Sequence, residues 1–272
     1  MSPFEPYLQR WNLTPDGDPF VSGTKQLLMP VVSGGQPAML KLATEPEERD
    51  GAHLLVWWQG IGAVRVIAHD GDALLMDRAA DDRALLNLSE AGRDDEAVLI
   101  LIAAAARLHA PRDRTPPPTL MSMETRFRSL WAAAKSTGDF ADGARIARAL
   151  LDSSTDETVL HGDIQHYNVL DFGARGWLAI DPKGILGERT YDFANIFCNP
   201  TDRVALEPGR LSHRATLIAE AAKLDRNRLL MWVYAYGHLS AAWHLEAGTD
   251  STTPLTVAAS ARTELERTGA WQ

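Results

Sequence analysis

The 272-residue sequence holds a single cysteine, Cys198. One thiol excludes an internal disulfide framework and any zinc site built on several cysteines. It fits a reducing compartment, so a cytoplasmic location is expected, with Cys198 as a buried small hydrophobe. Long apolar runs are missing too: the longest, residues 97–106, falls far short of a membrane span. The opening Met1-Ser2-Pro3-Phe4-Glu5 lacks the basic and apolar regions of a signal peptide, and none is expected. Positive charge is scarce, with 27 Lys and Arg against 36 Asp and Glu and a net charge of -9. Nucleic acids and anionic membrane surfaces are recognised through clustered Lys and Arg, so neither is an expected partner. An acidic surface suits a cationic ligand, although it equally serves solubility. There is no Walker A motif, and the N-terminal region has no Gly-x-Gly-x-x-Gly.

What is present reads as a globular protein large enough for two lobes, with 45% hydrophobic and 23% charged residues. Residues 21–32 and 38–42 read as strands, joined through Ser33-Gly34-Gly35-Gln36-Pro37, a hairpin signal. Residues 45–58 read as a helix with an apolar face. Residues 63–68 and 73–76 are two further strands around His69-Asp70-Gly71-Asp72. The character then changes. Helices are expected over 94–110, 123–135, 142–151, 225–246 and 253–267, with a strand-rich block at 159–180. This order implies an α+β chain: residues 1–78 hold a sheet with one helix, residues 79–272 are mostly helical, and the joint lies near 77–80.

The densest polar cluster is His161-Gly162-Asp163-Ile164-Gln165-His166-Tyr167-Asn168. Behind it stands Trp177-Leu178-Ala179-Ile180-Asp181-Pro182. Phosphoryl transfer needs residues of these types. A carboxylate must meet the attacking hydroxyl, and hard oxygen ligands must hold magnesium on the phosphates. Asp163 suits the first task, Asn168 and Asp181 the second. Residues 169–172 and 177–180 would pair as a hairpin, which brings Asn168 and Asp181 together at one end. The literal Asp171-Phe172-Gly173 falls inside that hairpin and reads as a turn, not as a metal site. Lys41 is a mid-strand lysine on an apolar run, an unusual place for an unpaired charge. His166 and His244 lack a second His or Cys at ligand spacing, so zinc is not expected.

The His-Gly-Asp block, with Asn five residues after the Asp and Ile-Asp-Pro after the hairpin, resembles the catalytic segment of the protein-kinase-like superfamily. Within it, the resemblance is to the aminoglycoside phosphotransferases, in the subgroup of streptomycin 6-phosphotransferases and hydroxyurea phosphotransferases. Gly60-Ile61-Gly62-Ala63-Val64-Arg65, the segment 106–110, the segment 187–195 and the segment 234–243 extend it, so it covers most of residues 21–243. It implies a bilobal protein-kinase-like fold with an N-terminal antiparallel sheet and a helical C-terminal lobe. It implies ATP and Mg²⁺, with Lys41 on the phosphates and paired to a glutamate of the next helix. Glu48 is the first choice for that glutamate, with Glu45 and Glu47 as alternatives. Ser22 and Thr24 stand where the phosphate-covering loop belongs, and residues 74–79, with Asp77 and Ala79, resemble the adenine-binding hinge. Asp192 and His161 would support the catalytic loop, and His109 would pack or cap.

The implied substrate is streptomycin, modified on its streptidine ring. Its guanidinium groups call for carboxylates, and Glu188, Asp202, Glu246 and Asp250 are available. A monomer or weak dimer is expected. Hydroxyurea or another small metabolite is an alternative acceptor, because pockets diverge within one fold. A catalytically silent kinase-like binding protein is the reading from another class.

Overall fold

The computed structural model describes residues 2–22 and 26–271. The N-terminal lobe opens with helix α1 (Glu5–Arg10) and strands β1 (Thr14–Pro15), β2 (Phe20–Ser22), β3 (Gln26–Ser33) and β4 (Gln36–Leu42). Helix α2 (Pro46–Trp58) and strands β5 (Val66–Asp70) and β6 (Ala73–Asp77) complete it. All pairings in the sheet are antiparallel, in the order β1-β3-β4-β6-β5 with β2 also on β3. Gly34 and Gly35 close the β3–β4 hairpin at φ of 56° and 79°, the left-handed pair that a two-residue turn requires. The single strand expected over 21–32 is two strands folded on each other, with Ser22 opposite Gln26. The strand expected from residue 63 starts at Val66. Residues 62–64 instead bind the other lobe, with Val64 N donating to Ala179 O at 2.8 Å and Ala179 N to Gly62 O at 3.0 Å.

Strand β6 shows how the sheet divides its burial. Side chains alternate across a strand, so Leu75 enters a small core with Phe4, Val31 and Leu40, under α1. Leu74 and Met76 face the opposite way, into a large core that continues through α2 into the helical lobe. Helix α2 starts with Pro46 in its first turn and carries Glu47 and Glu48 beside the positive end of its dipole. Its buried face, with Leu54, Leu55 and Trp58, belongs to the large core.

The C-terminal lobe runs through α3 (Ala84–Glu90), α4 (Asp94–His109), β7 (Met121–Ser122), α5 (Met123–Arg126), α6 (Arg128–Ser136) and α7 (Ala141–Asp152). Then come β8 (Glu157–Leu160), β9 (Val169–Asp171), β10 (Trp177–Ala179) and β11 (Ile185–Glu188). Helices α8 (Asp202–Ala205), α9 (Arg210–Ala222), α10 (Arg226–Ala247) and α11 (Thr252–Arg267) finish the chain. The helix expected over 123–135 is broken at Phe127, which is fully buried at the junction of α5 and α6. Cys198 is only partly buried, packed against the large core, and its surroundings push its thiol up to about 12. Among the described residues, no helix is long and apolar enough to cross a membrane.

The lobes also approach closely where α2 meets the segment that follows the β9–β10 hairpin. A Cβ on Gly51 would lie 2.3 Å from the Pro182 carbonyl oxygen. Glycine inside a helix normally costs stability relative to alanine, so this one is explained by the close approach. Gly51→Ala should therefore lower stability by about 1–3 kcal/mol despite its better helix propensity. Thermal unfolding measured against the parent protein checks this.

Candidate active site

The site is built on the loop between β8 and β9. Asp192, 1% exposed, anchors it. His161 N and Gly162 N donate to its two carboxylate oxygens at 2.9 and 2.6 Å, and His109 Nε2 lies 2.8 Å away. Burial alone would raise the Asp192 carboxyl, but these partners, led by the His109 bond, hold it below the ordinary range. Gly162 sits at φ 83°, where a Cβ would meet Ile185 at 2.5 Å. The His161 ring is buried and stacked on Trp58, at 6.2 Å between centroids. Its Nε2 bonds Ile180 O at 2.7 Å and its Nδ1 accepts Asp163 N at 3.2 Å. Burial lowers its pKa, so the ring is a neutral brace for the loop.

Asp163 emerges from this frame, half-buried. Its Oδ1 accepts Asn195 Nδ2 at 2.6 Å and its Oδ2 accepts Asn168 Nδ2 at 2.8 Å. Burial pushes its carboxyl up to about 6, against the pull of Lys183 and Arg126. Strands β9 and β10 pair antiparallel, and Ile180 N donates to Asn168 O at 2.9 Å just beyond the register. Asp181, the next residue, is held at φ 61°, a left-handed conformation rare for a non-glycine residue. The hairpin thus brings Asn168 and Asp181 to one end. Asp171 lies at the other end, bonded to Gly173 N at 2.8 Å and paired with Asp81.

Lys41, 7% exposed, reaches across from β4 to Asp181 Oδ1, while Gln26 donates to Asp181 Oδ2. Burial would raise the Asp181 carboxyl, but the Lys41 charge and neighbouring donors keep it low. The glutamate partner expected for Lys41 is therefore corrected. Glu48 turns back over the start of α2 and accepts Thr44 N at 3.1 Å, and Glu47 faces Arg126 at 3.5 Å. Asp181 fills the position at the lysine instead.

Three cavities follow one another along the cleft. The first, of about 620 Å³, is a slot between apolar walls: Leu28 and Met76 from the sheet, Leu170, Phe172 and Ile180 from the helical lobe. Ala79 lies on its rim, as does Asp77, but the Asp77 side chain is committed elsewhere. Its buried carboxylate binds Arg65 at 2.7 and 2.9 Å and also Arg175, and its N–H donates to Arg65 O at 3.1 Å. The second cavity, of about 450 Å³, carries Lys41, Asp163, Asn168, Asp181 and Lys183 in its walls, beside Leu55 and Leu74. Ser22 lines both; Thr24 lies outside the described residues. The third, of about 430 Å³, is lined by Glu47, Arg126, Tyr236, Trp243 and Glu246. Asp163 and Lys183 line the second and third cavities alike.

The model of the aminoglycoside/hydroxyurea antibiotic resistance kinase family matches residues 10–248. The chain belongs to this family. It is 46% identical to a streptomycin 3''-kinase of Klebsiella pneumoniae, over 89% of this chain and 92% of that protein. It is 30% identical to a streptomycin 6-kinase of Streptomyces griseus, over 92% of this chain and 85% of that protein. Among solved structures, an aminoglycoside phosphotransferase in complex with ADP and hygromycin B shares the fold. Its TM-score is 0.66 at 14% identity, with both chains fully covered. The bilobal kinase-like architecture expected from the sequence is the one observed.

The four carboxylates expected to meet substrate in this kinase separate. Glu246 lines the third cavity and accepts Ser129 Oγ at 2.9 Å. Glu188 is buried and bonded to Arg228 at 2.5 and 2.7 Å and to Trp232 at 2.9 Å, a core carboxylate that needs these partners. Asp202 is exposed, opens α8 and lines none of the three cavities. Asp250 is exposed and precedes α11, where its carboxylate accepts Thr252 N at 3.0 Å and Thr252 Oγ1 at 2.6 Å. Sequence reasoning also passed over residues that the fold brings in. Lys183 stands two positions after Asp181, and Asn195 three after Asp192, so both lay beside recognised motifs. Arg126 carries no local signal; only the fold sets its guanidinium over the Trp243 ring at 4.4 Å and against Gly162 O at 3.2 Å.

An activity that needs an ionised Asp163 must decline as that carboxyl protonates. The rate should fall about tenfold per pH unit below about pH 6. Asn195→Ala removes a donor to the charged form, so this acid limb should move to higher pH. Profiles of kcat/KM against pH for both proteins check the direction.

Proposed function

We propose that this kinase transfers the γ-phosphoryl group of Mg-ATP to a hydroxyl of streptomycin. The observation that carries the reading is Asp163 in the common wall of the second and third cavities. A carboxylate there meets the donor phosphate from one side and the acceptor hydroxyl from the other. The apolar slot suits adenine, between a nucleotide-binding lobe of residues 1–78 and a catalytic lobe of residues 79–272. Ser22 and Thr24 serve the phosphates, and Lys41 transfers to them from Asp181. Asp163 accepts the hydrogen bond of the acceptor hydroxyl and orients its oxygen in line with the phosphorus. Such positioning supplies most of the rate in phosphoryl transfer.

The donor set fits magnesium. Asn168 and Asp181 offer a neutral and an ionised hard oxygen at one hairpin end, and Asp181 is kept charged. When bound there, the ion neutralises charge on the transferring phosphate. Glu246 and Glu47 offer carboxylates to a cationic acceptor, and the single cysteine supports a cytoplasmic setting.

Identity of 46% to the 3''-kinase against 30% to the 6-kinase favours the 3'' hydroxyl, on a sugar, over a streptidine position. This revises the expectation drawn from the sequence motifs. Identity of 30% to a hydroxyurea phosphotransferase of Kitasatospora aureofaciens, against 46% to the 3''-kinase, weighs against hydroxyurea as the acceptor.

The test is ATP consumption by the purified protein with and without streptomycin, using Asp163→Asn as control. Streptomycin should stimulate turnover, and the variant should lose it by about 100- to 10,000-fold while keeping nucleotide affinity. Unstimulated turnover, or a fully active variant, contradicts the proposal.

A further inference from the structure

Gln26 touches the reaction machinery from the opposite lobe, yet no motif marks it. It is the first residue of β3, and its partner across the β2–β3 pairing is Ser22. Its side chain crosses the cleft and donates through Nε2 to Asp181 Oδ2. Lys41 takes the other oxygen, Oδ1. The Asp181 carboxylate is therefore held from the N-terminal sheet at both oxygens, while its own backbone is fixed at φ 61° in the C-terminal lobe. The two tethers are not equivalent. Lys41 is a cation that a nucleotide's phosphates compete for. Gln26 is neutral, and an amide has no comparable attraction to phosphate. When Lys41 turns to the phosphates, Gln26 keeps its hold on Asp181. An amide donor orients the carboxylate without cancelling the charge that a cation needs.

We propose that Gln26 is a positioning residue for phosphoryl transfer, one that fixes the orientation of the Asp181 carboxylate and so sets the affinity for the nucleotide-bound metal ion. This rests on the phosphotransferase reading above. Partners that orient a ligating side chain typically change metal affinity by about 10- to 100-fold when removed. Gln26 also ties the strand pair that bears Ser22 to Asp181, so the phosphate-covering segment and the metal carboxylate are set by one side chain.

The test uses Gln26→Met, which keeps length and loses the donor, and Gln26→Glu, which keeps shape and sets a second carboxylate beside Asp181. Mn²⁺ binding is followed by electron paramagnetic resonance, with and without AMP-PNP, alongside thermal unfolding. With AMP-PNP, Gln26→Met should bind Mn²⁺ about tenfold more weakly, with an unfolding temperature close to the parent's. Gln26→Glu should bind Mn²⁺ even without nucleotide, because paired carboxylates attract a divalent cation. Unshifted Mn²⁺ affinity in both variants, with or without a fall in unfolding temperature, overturns the assignment and leaves the phosphotransferase reading standing. Absence of Mn²⁺·AMP-PNP binding by the parent protein overturns both.

Discussion

The arrangement depends on one buried carboxylate. Asp192 has no access to water, so its charge must be met inside the protein. It is met by two successive backbone N–H groups of the β8–β9 loop and by His109 at the end of α4. Those bonds hold the path of residues 161–163. That path brings His161 under Ile180, turns the chain at Gly162 and delivers Asp163 to the cleft. Asn195, on the same segment as Asp192, then binds Asp163 itself. Asp192 and Asp163 are thus held by one short stretch of chain.

The same logic joins the lobes. The β9–β10 hairpin is where both meet: Ala63 bridges Ala179, Asp77 binds Arg175, and Lys41 with Gln26 binds Asp181. Every one of these contacts places a carboxylate or backbone group of one lobe against a donor of the other. Lys41 and Gln26 therefore converge on the hairpin end that carries Asp181, while Leu28, Met76, Leu170, Phe172 and Ile180 wall the slot beside it. Asp163 illustrates the balance. Burial raises its carboxyl towards the pH at which it exchanges protons readily, while two amides and two nearby cations keep it usable as an acceptor.

Much of this was legible in the sequence because the informative spacings are local. His-Gly-Asp and Asn168 share one loop, and a hairpin with four turn residues has few ways to close, so Asn168 and Asp181 had to meet. The same geometry disposed of Asp171. The helices at 94–110, 225–246 and 253–267 were readable from long periodic runs with clear ends. What was not legible depends on contacts between distant segments. No local pattern says that Lys41 finds Asp181 before a glutamate of α2. Nothing in Gly187-Glu188-Arg189 reveals that Arg228, forty residues later, buries Glu188 in an ion pair. Asp202 and Asp250 look like free carboxylates in the sequence and are helix-start residues in the fold. The break at Phe127 is likewise a matter of packing.

The central claim is that Asp163 stands between a nucleotide and an aminoglycoside hydroxyl. Identifying the reaction product tests it most directly. Streptomycin incubated with the protein and Mg-ATP would be isolated and its phosphorus-to-proton couplings read by nuclear magnetic resonance. The account predicts one phosphate ester, at the 3'' hydroxyl. A phosphate at the 6 position would overturn the assigned acceptor geometry, and recovery of unmodified streptomycin would contradict the claim itself.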